Sequence, residues 1–207
     1  MDIIIFIFEI IGTVAFAVAG AFVAVEKKMD VLGVMIMGLT TAVGGGVLRD
    51  LLIGNIPPAA FKDPVYAIIA IATSLVVFWP KVRMVVNAHQ AAFDRTLLIM
   101  DTLGLGVFTV VGVATCNQTV ADSGLFLPIF VGTITGVGGS ILRDVLAGNT
   151  PYVFVKHFYA CASILGAMGC ALTWEKLGNV ISMIVGAAIV MVLRLLAAHF
   201  RWKLPRA

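Results

Sequence analysis

The chain has 207 residues, of which 61% are hydrophobic and only 12% are charged, and its mean hydropathy is +1.08. These values exclude an ordinary soluble domain, in which roughly half of the residues are apolar and about a quarter are charged. The formal net charge of +3 does not indicate nucleic-acid binding, because the basic residues lie in short loops and in the tail and form no patterned face.

Polar residues separate long apolar runs, each close to the roughly 20 residues that cross a hydrocarbon core of about 30 Å. We therefore predict an all-α integral membrane protein with seven transmembrane helices in a single membrane domain, residues 1–207. The predicted helices cover residues 3–25, 31–48, 64–80, 96–115, 124–142, 157–174 and 178–198, and a basic cytoplasmic tail follows at 199–207.

The first predicted helix resembles a signal peptide in being apolar and rich in small residues. However, no Lys or Arg precedes its apolar stretch, and Glu9 lies inside it. It also matches a later segment at an offset of 92 residues: FAVAG at 16–20 corresponds to FTVVG at 108–112, and Glu9 corresponds to Asp101. We expect a retained helix.

The second predicted helix ends in a motif that occurs again in the fifth. Residues 44–55 read GGGVLRDLLIGN and residues 138–149 read GGSILRDVLAGN, 94 positions later. Both halves have an acid-bearing helix, a glycine-rich helix ending in Arg-Asp, a Gly-Asn turn and a third helix. We predict two three-helix repeats, residues 3–80 and 96–174, with the seventh helix outside them.

Three helices per repeat invert the second repeat relative to the first, about a pseudo-two-fold axis in the membrane plane. The positive-inside rule then places the N-terminus outside and the C-terminus in the cytoplasm. In that orientation nine Lys and Arg residues fall on the cytoplasmic side, and the outer loops keep only Lys62 and Lys176.

Four charged side chains lie within the predicted helices or directly after their last residue, at mirrored depths. We predict that Glu9 pairs with Arg49 and that Asp101 pairs with Arg143, one pair in each half of the membrane. A charge at the centre of a membrane helix costs roughly 2.5–3.5 kcal/mol, so such groups normally face a water-filled cavity or one another. The alternative is that both arginines extend to the headgroups and the acids merely pair with them.

Three further charged residues lie near helix ends. Asp50 and Asp144 either belong to the same pathway or cap the turn that follows each helix. Arg194, in the last helix, either faces the inner headgroups or pairs with Asp144.

Glycines lie within the second and fifth helices, where each costs about 1 kcal/mol relative to alanine and loosens the helix. We predict that both helices are broken there and that freed backbone groups line an aqueous path. Close helix packing through small residues is the alternative explanation. The predicted hinge residues are Gly44, Gly45, Gly46, Gly136, Gly138, Gly139 and Ser140.

The paired motifs GGGVLRD and GGSILRD, each in the second helix of a three-helix repeat, are followed by a seventh helix and a short basic tail. This arrangement resembles the bacterial branch of the trimeric intracellular cation (TRIC) channel family, a group also described as bacterial glycine transporters of the UPF0126 type. The resemblance covers residues 12–204. It implies a homotrimer in the inner membrane, with one pore per subunit that is lined by helices two and five and passes monovalent cations such as potassium.

Carried over by position, the resemblance makes the glycine clusters the hinges and gives the pore a polar lining. Ser140 replaces the third glycine of the second motif, which implies a stiffer hinge and a hydroxyl able to coordinate an ion. Animal members bind phosphoinositide at a Lys-Glu motif, whereas this chain has Arg-Asp. The polar lining residues are Arg49, Asp50, Arg143 and Asp144.

We hypothesise that a cation loses water against freed carbonyls while Glu9 and Asp101 neutralise the arginines, so that breaking either ion pair gates the path. The alternative is a carrier for glycine or another small amino acid. Its substrate would place a carboxylate against Arg49 or the N-terminus of a half-helix, and an ammonium against Glu9, Asp50 or backbone carbonyls. A purely structural membrane protein is a third possibility.

We expect no enzyme activity. Ser140 and His157 are the pair to consider for Ser-His chemistry, but Gly46 and Asp63 occupy the equivalent positions of the first repeat, and no nucleophile elbow surrounds Ser140. The glycine motif also lacks the Gly-Lys-Ser/Thr of a nucleotide-binding loop.

Three cysteines, Cys116, Cys161 and Cys170, lie in apolar runs without metal-ligand spacing, and we expect them to be packed residues. No cofactor and no metal beyond transient permeating cations is expected. The expected partners are membrane lipid, other copies of the chain, and permeating monovalent cations or a small zwitterion, with no nucleic acid.

Overall fold

The computed structural model describes residues 3–82, 90–155 and 158–202. The regular elements with both ends in these ranges are helices, which agrees with the predicted all-helical membrane protein. They are α1 (Ile3–Glu26), α2 (Val31–Leu52), α3 (Ala59–Lys62), α4 (Val65–Phe78), α5 (Gln90–Thr119), α6 (Phe126–Leu146), α7 (Tyr152–Val155), α8 (Tyr159–Leu177) and α9 (Asn179–His199).

Five helices in the described ranges are long and apolar enough to cross a membrane: α1, α2, α5, α6 and α9. The α4 helix is apolar but shorter, with 14 residues. The distribution of charge and apolar surface suits a membrane, since seven charged side chains of the described residues are buried inside the bundle while large apolar side chains face outward. Examples of the exposed apolar residues are Ile7, Ile68, Val76, Ile184 and Val192.

The first helix of each half lies at the centre of the bundle. α1 packs against α2, α4 and α5, and α5 packs against α6, α8 and α1. α9 packs against α5 and α8. The helix outside the predicted repeats therefore lies against the second half of the chain.

The predicted breaks in α2 and α6 are not present, because both helices run without interruption through their glycines. The glycines instead permit a close crossing of the two helices. A Cβ atom added at Gly45 would collide with the carbonyl oxygen of Thr135, and one at Gly139 would collide with the carbonyl oxygen of Thr41. Close packing accounts for these glycines, as small residues allow in membrane helices.

The helix crossing repeats its contacts about an approximate two-fold axis. Gly45 corresponds to Gly139 and Thr41 to Thr135 at an offset of 94 residues. The contact of Gly45 with Thr135 is therefore equivalent to the contact of Gly139 with Thr41. Beside them, the rings of Phe16 and Phe108, which correspond at an offset of 92, lie 5.3 Å apart. A Cβ at Gly12 would meet Phe108, and one at Gly104 would meet Phe16. Such self-complementary contacts are those of an isologous interface, here within one chain.

The close crossing predicts opposite effects of alanine at adjacent glycines. Gly45→Ala is expected to lower the free energy of unfolding by about 1–3 kcal/mol, because the added methyl group must displace the backbone of α6. Gly46→Ala is the matched control, since its Cβ would meet only Arg49 Nη2, at 3.9 Å, and alanine favours a helix by about 1 kcal/mol. Thermal unfolding in detergent, followed by tryptophan fluorescence, measures both. Equal unfolding temperatures for the two variants would contradict this account.

Candidate functional site

One buried polar cluster joins α1, α2 and α4 and is called half-site 1 here; it consists of Glu9, Arg49, Asp50 and Tyr66. Arg49 Nη1 donates a hydrogen bond to Glu9 Oε1 at 3.2 Å, and Arg49 Nε donates to Asp50 Oδ1 at 2.8 Å. The Tyr66 hydroxyl donates to Glu9 Oε2. The predicted pairing of Glu9 with Arg49 is therefore confirmed.

Asp50 has two structural partners. While Oδ1 accepts from Arg49, Oδ2 accepts from the backbone N–H of Ala59 at 2.7 Å. Ala59 is the first residue of α3, so the carboxylate holds the segment that follows α2 in place. The predicted bond of Asp50 to the turn that follows α2 is confirmed, since the carboxylate satisfies a backbone donor there, and the same side chain belongs to the charged cluster.

A second cluster, half-site 2, repeats this arrangement in the other half of the chain and consists of Asp101, Arg143, Asp144 and Arg194. Arg143 Nη1 donates to Asp101 Oδ1 at 2.6 Å, and Arg143 Nε donates to Asp144 Oδ1 at 2.9 Å. Asp144 Oδ2 accepts from the backbone N–H of Tyr152 at 2.9 Å. The second predicted ion pair, between Asp101 and Arg143, is confirmed as well.

Arg194 enters half-site 2 from α9. It is 2% exposed, and its Nη2 lies 3.7 Å from Asp101 Oδ2. Its guanidinium also lies over the ring of Tyr159, 4.6 Å from the ring centroid. The expectation that Arg194 faces the headgroups is wrong, because the acid on α5 and the aromatic ring on α8 draw the side chain into the bundle.

The two half-sites differ in their access to solvent. The Glu9 and Arg49 side chains are 11% and 5% exposed, and half-site 1 borders a cavity of about 30 Å³ that is also lined by Thr13, Gly46 and Phe108. A space of this size holds one or two water molecules. In half-site 2 the side chains of Arg143 and Asp101 are only 0% and 2% exposed, so that cluster is sealed.

A single sequence difference in the repeated motif contributes to this contrast. Gly46 leaves open space beside Arg49 and lines the cavity. The equivalent position of the second motif is Ser140, which is 2% exposed and whose hydroxyl donates to the carbonyl oxygen of Val137 at 2.8 Å. The serine side chain occupies space that half-site 1 leaves open, and its hydroxyl bonds within its own helix.

The remaining predicted hinge residues also lie at helix contacts. A Cβ at Gly44 would meet Leu142, and one at Gly138 would meet Leu48. Gly136 lies against the hydroxyl of Thr109. Since α2 and α6 are continuous, the carbonyls of the glycine segments are not freed by a helix break, which removes that part of the hypothesised dehydration mechanism.

Sequence reasoning did not place Tyr66 beside Glu9, and for Arg194 it considered Asp144 but not Asp101 as the partner. Both lie outside the repeated Arg-Asp motifs, and neither has a local pattern that indicates its partner. Cys116 and Cys170 are buried free thiols, as expected, while Cys161 is half-buried. His157 and residues 203–207 of the tail lie outside the described residues.

Comparisons with known proteins agree with this organisation. The family model described as glycine transporter matches residues 6–81 and again residues 98–175, one match in each half of the chain. The UPF0126 inner membrane protein YadS of Escherichia coli is 33% identical over 199 residues, covering 95% of this chain and 93% of that protein. The double match of a single model supports the internal repeat.

Two solved structures are similar over nearly the whole chain. A TRIC cation channel shares 36% identity with a TM-score of 0.84, and the match covers 97% of this chain and 96% of the channel. The TRIC trimeric intracellular cation channel orthologue from Rhodobacter sphaeroides shares 29% identity with a TM-score of 0.86, covering 96% and 98%.

Asp50 and Asp144 each bind an arginine and a backbone N–H, so removing the charge of either is expected to destabilise the fold strongly. Asp144→Asn places an amide NH₂ against either Arg143 Nε or the Tyr152 N–H and leaves Arg143 with one carboxylate fewer. We expect the free energy of unfolding to fall by about 3 kcal/mol, and Asp50→Asn to act in the same way. Asp122→Asn, at an exposed turn, is the control. Chemical unfolding in detergent measures the difference, and Asp144→Asn as stable as the control would refute the assigned role.

Proposed function

The chain belongs to the glycine transporter family, and from this membership, together with its similarity to TRIC cation channels, we propose that it is a monovalent cation channel of a bacterial inner membrane. The observation that carries the proposal is the pair of equivalent ion-pair clusters buried in the bundle, Glu9 with Arg49 and Asp101 with Arg143. Charged groups at membrane depth are costly and commonly mark ion pathways.

The proposed topology follows from the repeats. Residues 3–80 and 96–174 form two inverted three-helix units, with the N-terminus outside and the C-terminus in the cytoplasm, as the distribution of Lys and Arg favours. Half-site 1 then lies in the outer half of the membrane and half-site 2 in the inner half. By analogy with the trimeric orthologue, we propose a homotrimer with one pore in each subunit.

The proposed pore is lined by α2 and α6 and passes both half-sites. The acidic side chains outnumber the arginines by one in the two half-sites together, which favours cations over anions. Potassium is the proposed principal ion, in keeping with the family resemblance. The Arg143 guanidinium is sealed between Asp101 and Asp144, so the ion pairs of half-site 2 form the proposed closed gate, and an ion passes when they rearrange.

A carrier for glycine is the second candidate, and two observations favour it. The family model bears that description, and a site open at one end and sealed at the other suits alternating access. The size of the cavity weighs against it, because about 30 Å³ beside Glu9 holds one or two waters and would have to widen before an amino acid could enter.

Planar-bilayer recording of the purified full-length protein between unequal potassium chloride solutions tests the proposal. A channel is expected to give unitary currents that reverse near the potassium equilibrium potential. A silent bilayer, together with saturable glycine uptake into proteoliposomes, would instead establish the carrier. Reversal near the chloride potential would overturn cation selectivity.

Neutralising Arg49 provides a test of the pathway itself. Arg49→Gln is expected to raise the open probability or the unitary conductance, because it removes a fixed positive charge beside the cavity and frees Glu9 from its ion pair. Arg49→Lys keeps the charge and serves as the control. Currents in Arg49→Gln that match the wild type in amplitude and open time would argue against a role of this arginine in conduction.

A further inference from the structure

The two half-sites have equivalent ion pairs but unequal charge. Every buried charged side chain in the described ranges belongs to one of them. Half-site 1 contains two carboxylates and one guanidinium, so its formal charge is −1. Half-site 2 contains two carboxylates and two guanidinium groups, so its formal charge is zero.

The difference in charge arises at one carboxylate oxygen in each half-site, on Glu9 in half-site 1 and on Asp101 in half-site 2. In half-site 1, Glu9 Oε2 accepts from the hydroxyl of Tyr66, a neutral donor. At the equivalent place in half-site 2, Asp101 Oδ2 faces the cationic Nη2 of Arg194 at 3.7 Å. The hydrogen bonds of the two Arg-Asp pairs correspond: each arginine donates to the acid of the central helix and to its neighbouring aspartate, and Asp50 and Asp144 each accept from a backbone N–H. The inequality therefore comes from α9.

We infer that Arg194 makes the two ends of the conduction path electrically unequal and thereby makes the channel rectify. This inference rests on the proposed channel function. A fixed charge of −1 raises the local concentration of cations at the half-site 1 end, whereas the neutral half-site 2 end has no such effect. Cations therefore enter more readily through half-site 1, and currents of opposite direction differ in size under equal driving force.

Packing alone provides a competing explanation for Arg194. The side chain is fully enclosed and covers the ring of Tyr159, so it also stabilises the contact between α8 and α9. The two explanations differ in what they require, because rectification depends on the positive charge while packing depends on the shape of the guanidinium. Lysine retains the charge and loses the planar shape, and glutamine loses the charge.

The test compares single-channel currents at equal positive and negative voltages, with identical potassium chloride on both sides of a planar bilayer. For each inserted channel the larger current is divided by the smaller, so the direction of insertion does not matter. We expect a ratio of roughly two or more for the wild type at low salt, falling as salt screens the charge. Arg194→Gln is expected to bring the ratio close to one, since both half-sites then have a charge of −1, and Arg194→Lys to keep it.

A second variant keeps the inference testable if Arg194→Gln does not fold. Glu9→Gln brings half-site 1 to a formal charge of zero, equal to that of half-site 2, and its amide oxygen still accepts a hydrogen bond. The ratio is again expected to approach one. The two variants are expected to change conductance in opposite directions, however: Glu9→Gln lowers it and Arg194→Gln raises it.

The outcomes separate this inference from the proposed function. A conducting wild type with equal currents in both directions would overturn the inference and leave the channel standing, as would a ratio that Arg194→Gln and Glu9→Gln do not change. A ratio that Arg194→Lys abolishes as fully as Arg194→Gln would assign the effect to packing and overturn the role of the charge. A wild type without unitary currents would overturn the channel and the inference together.

Discussion

The structure depends on one constraint, which is that a charged side chain within the membrane is costly unless it faces water or an opposite charge, and here each arginine meets an acid on a neighbouring helix. The acids lie on α1 and α5, and the arginines lie on α2 and α6, so these helices must approach closely. Gly20 makes the first approach possible, because a Cβ there would lie 2.6 Å from the carbonyl oxygen of Met37. Gly112 does the same for the second, where a Cβ would lie 2.8 Å from the Cα of Gly132.

The Arg-Asp pairs at the ends of α2 and α6 also hold in place the segments that follow these helices. Each arginine bonds to the acid on the central helix and to the aspartate beside it, and each aspartate also accepts a backbone N–H eight or nine residues later. The repeated Gly-Asn turn between them has glycine at positive φ, at Gly54 and Gly148, a conformation that glycine adopts without strain. The repeated motif is thus a unit that ends a helix, turns the chain and holds a buried charge.

The sequence alone was sufficient to predict the elements that this motif controls: an all-helical fold, an internal repeat and the two ion pairs. It was misleading at the glycines, because low helix propensity indicates a break only when no partner helix needs the space. Gly45 and Gly139 remain helical since each accommodates the backbone of the opposite helix. The contacts of Tyr66 with Glu9 and of Arg194 with Asp101 were missed for a related reason: they depend on which helix packs beside the acids, and no local spacing encodes that contact.

An internal repeat also explains how one chain acquires two unequal half-sites. Two identical subunits related by symmetry would have to carry the same residues at both half-sites, whereas two copies fused in one chain can change separately. Gly46 and Ser140 occupy equivalent positions, yet one borders a cavity and the other is packed. The helix α9 packs against the second copy and supplies a guanidinium group beside its acid. A shared scaffold of ion pairs therefore supports one half-site that borders a cavity and carries net charge, and another that is sealed and neutral.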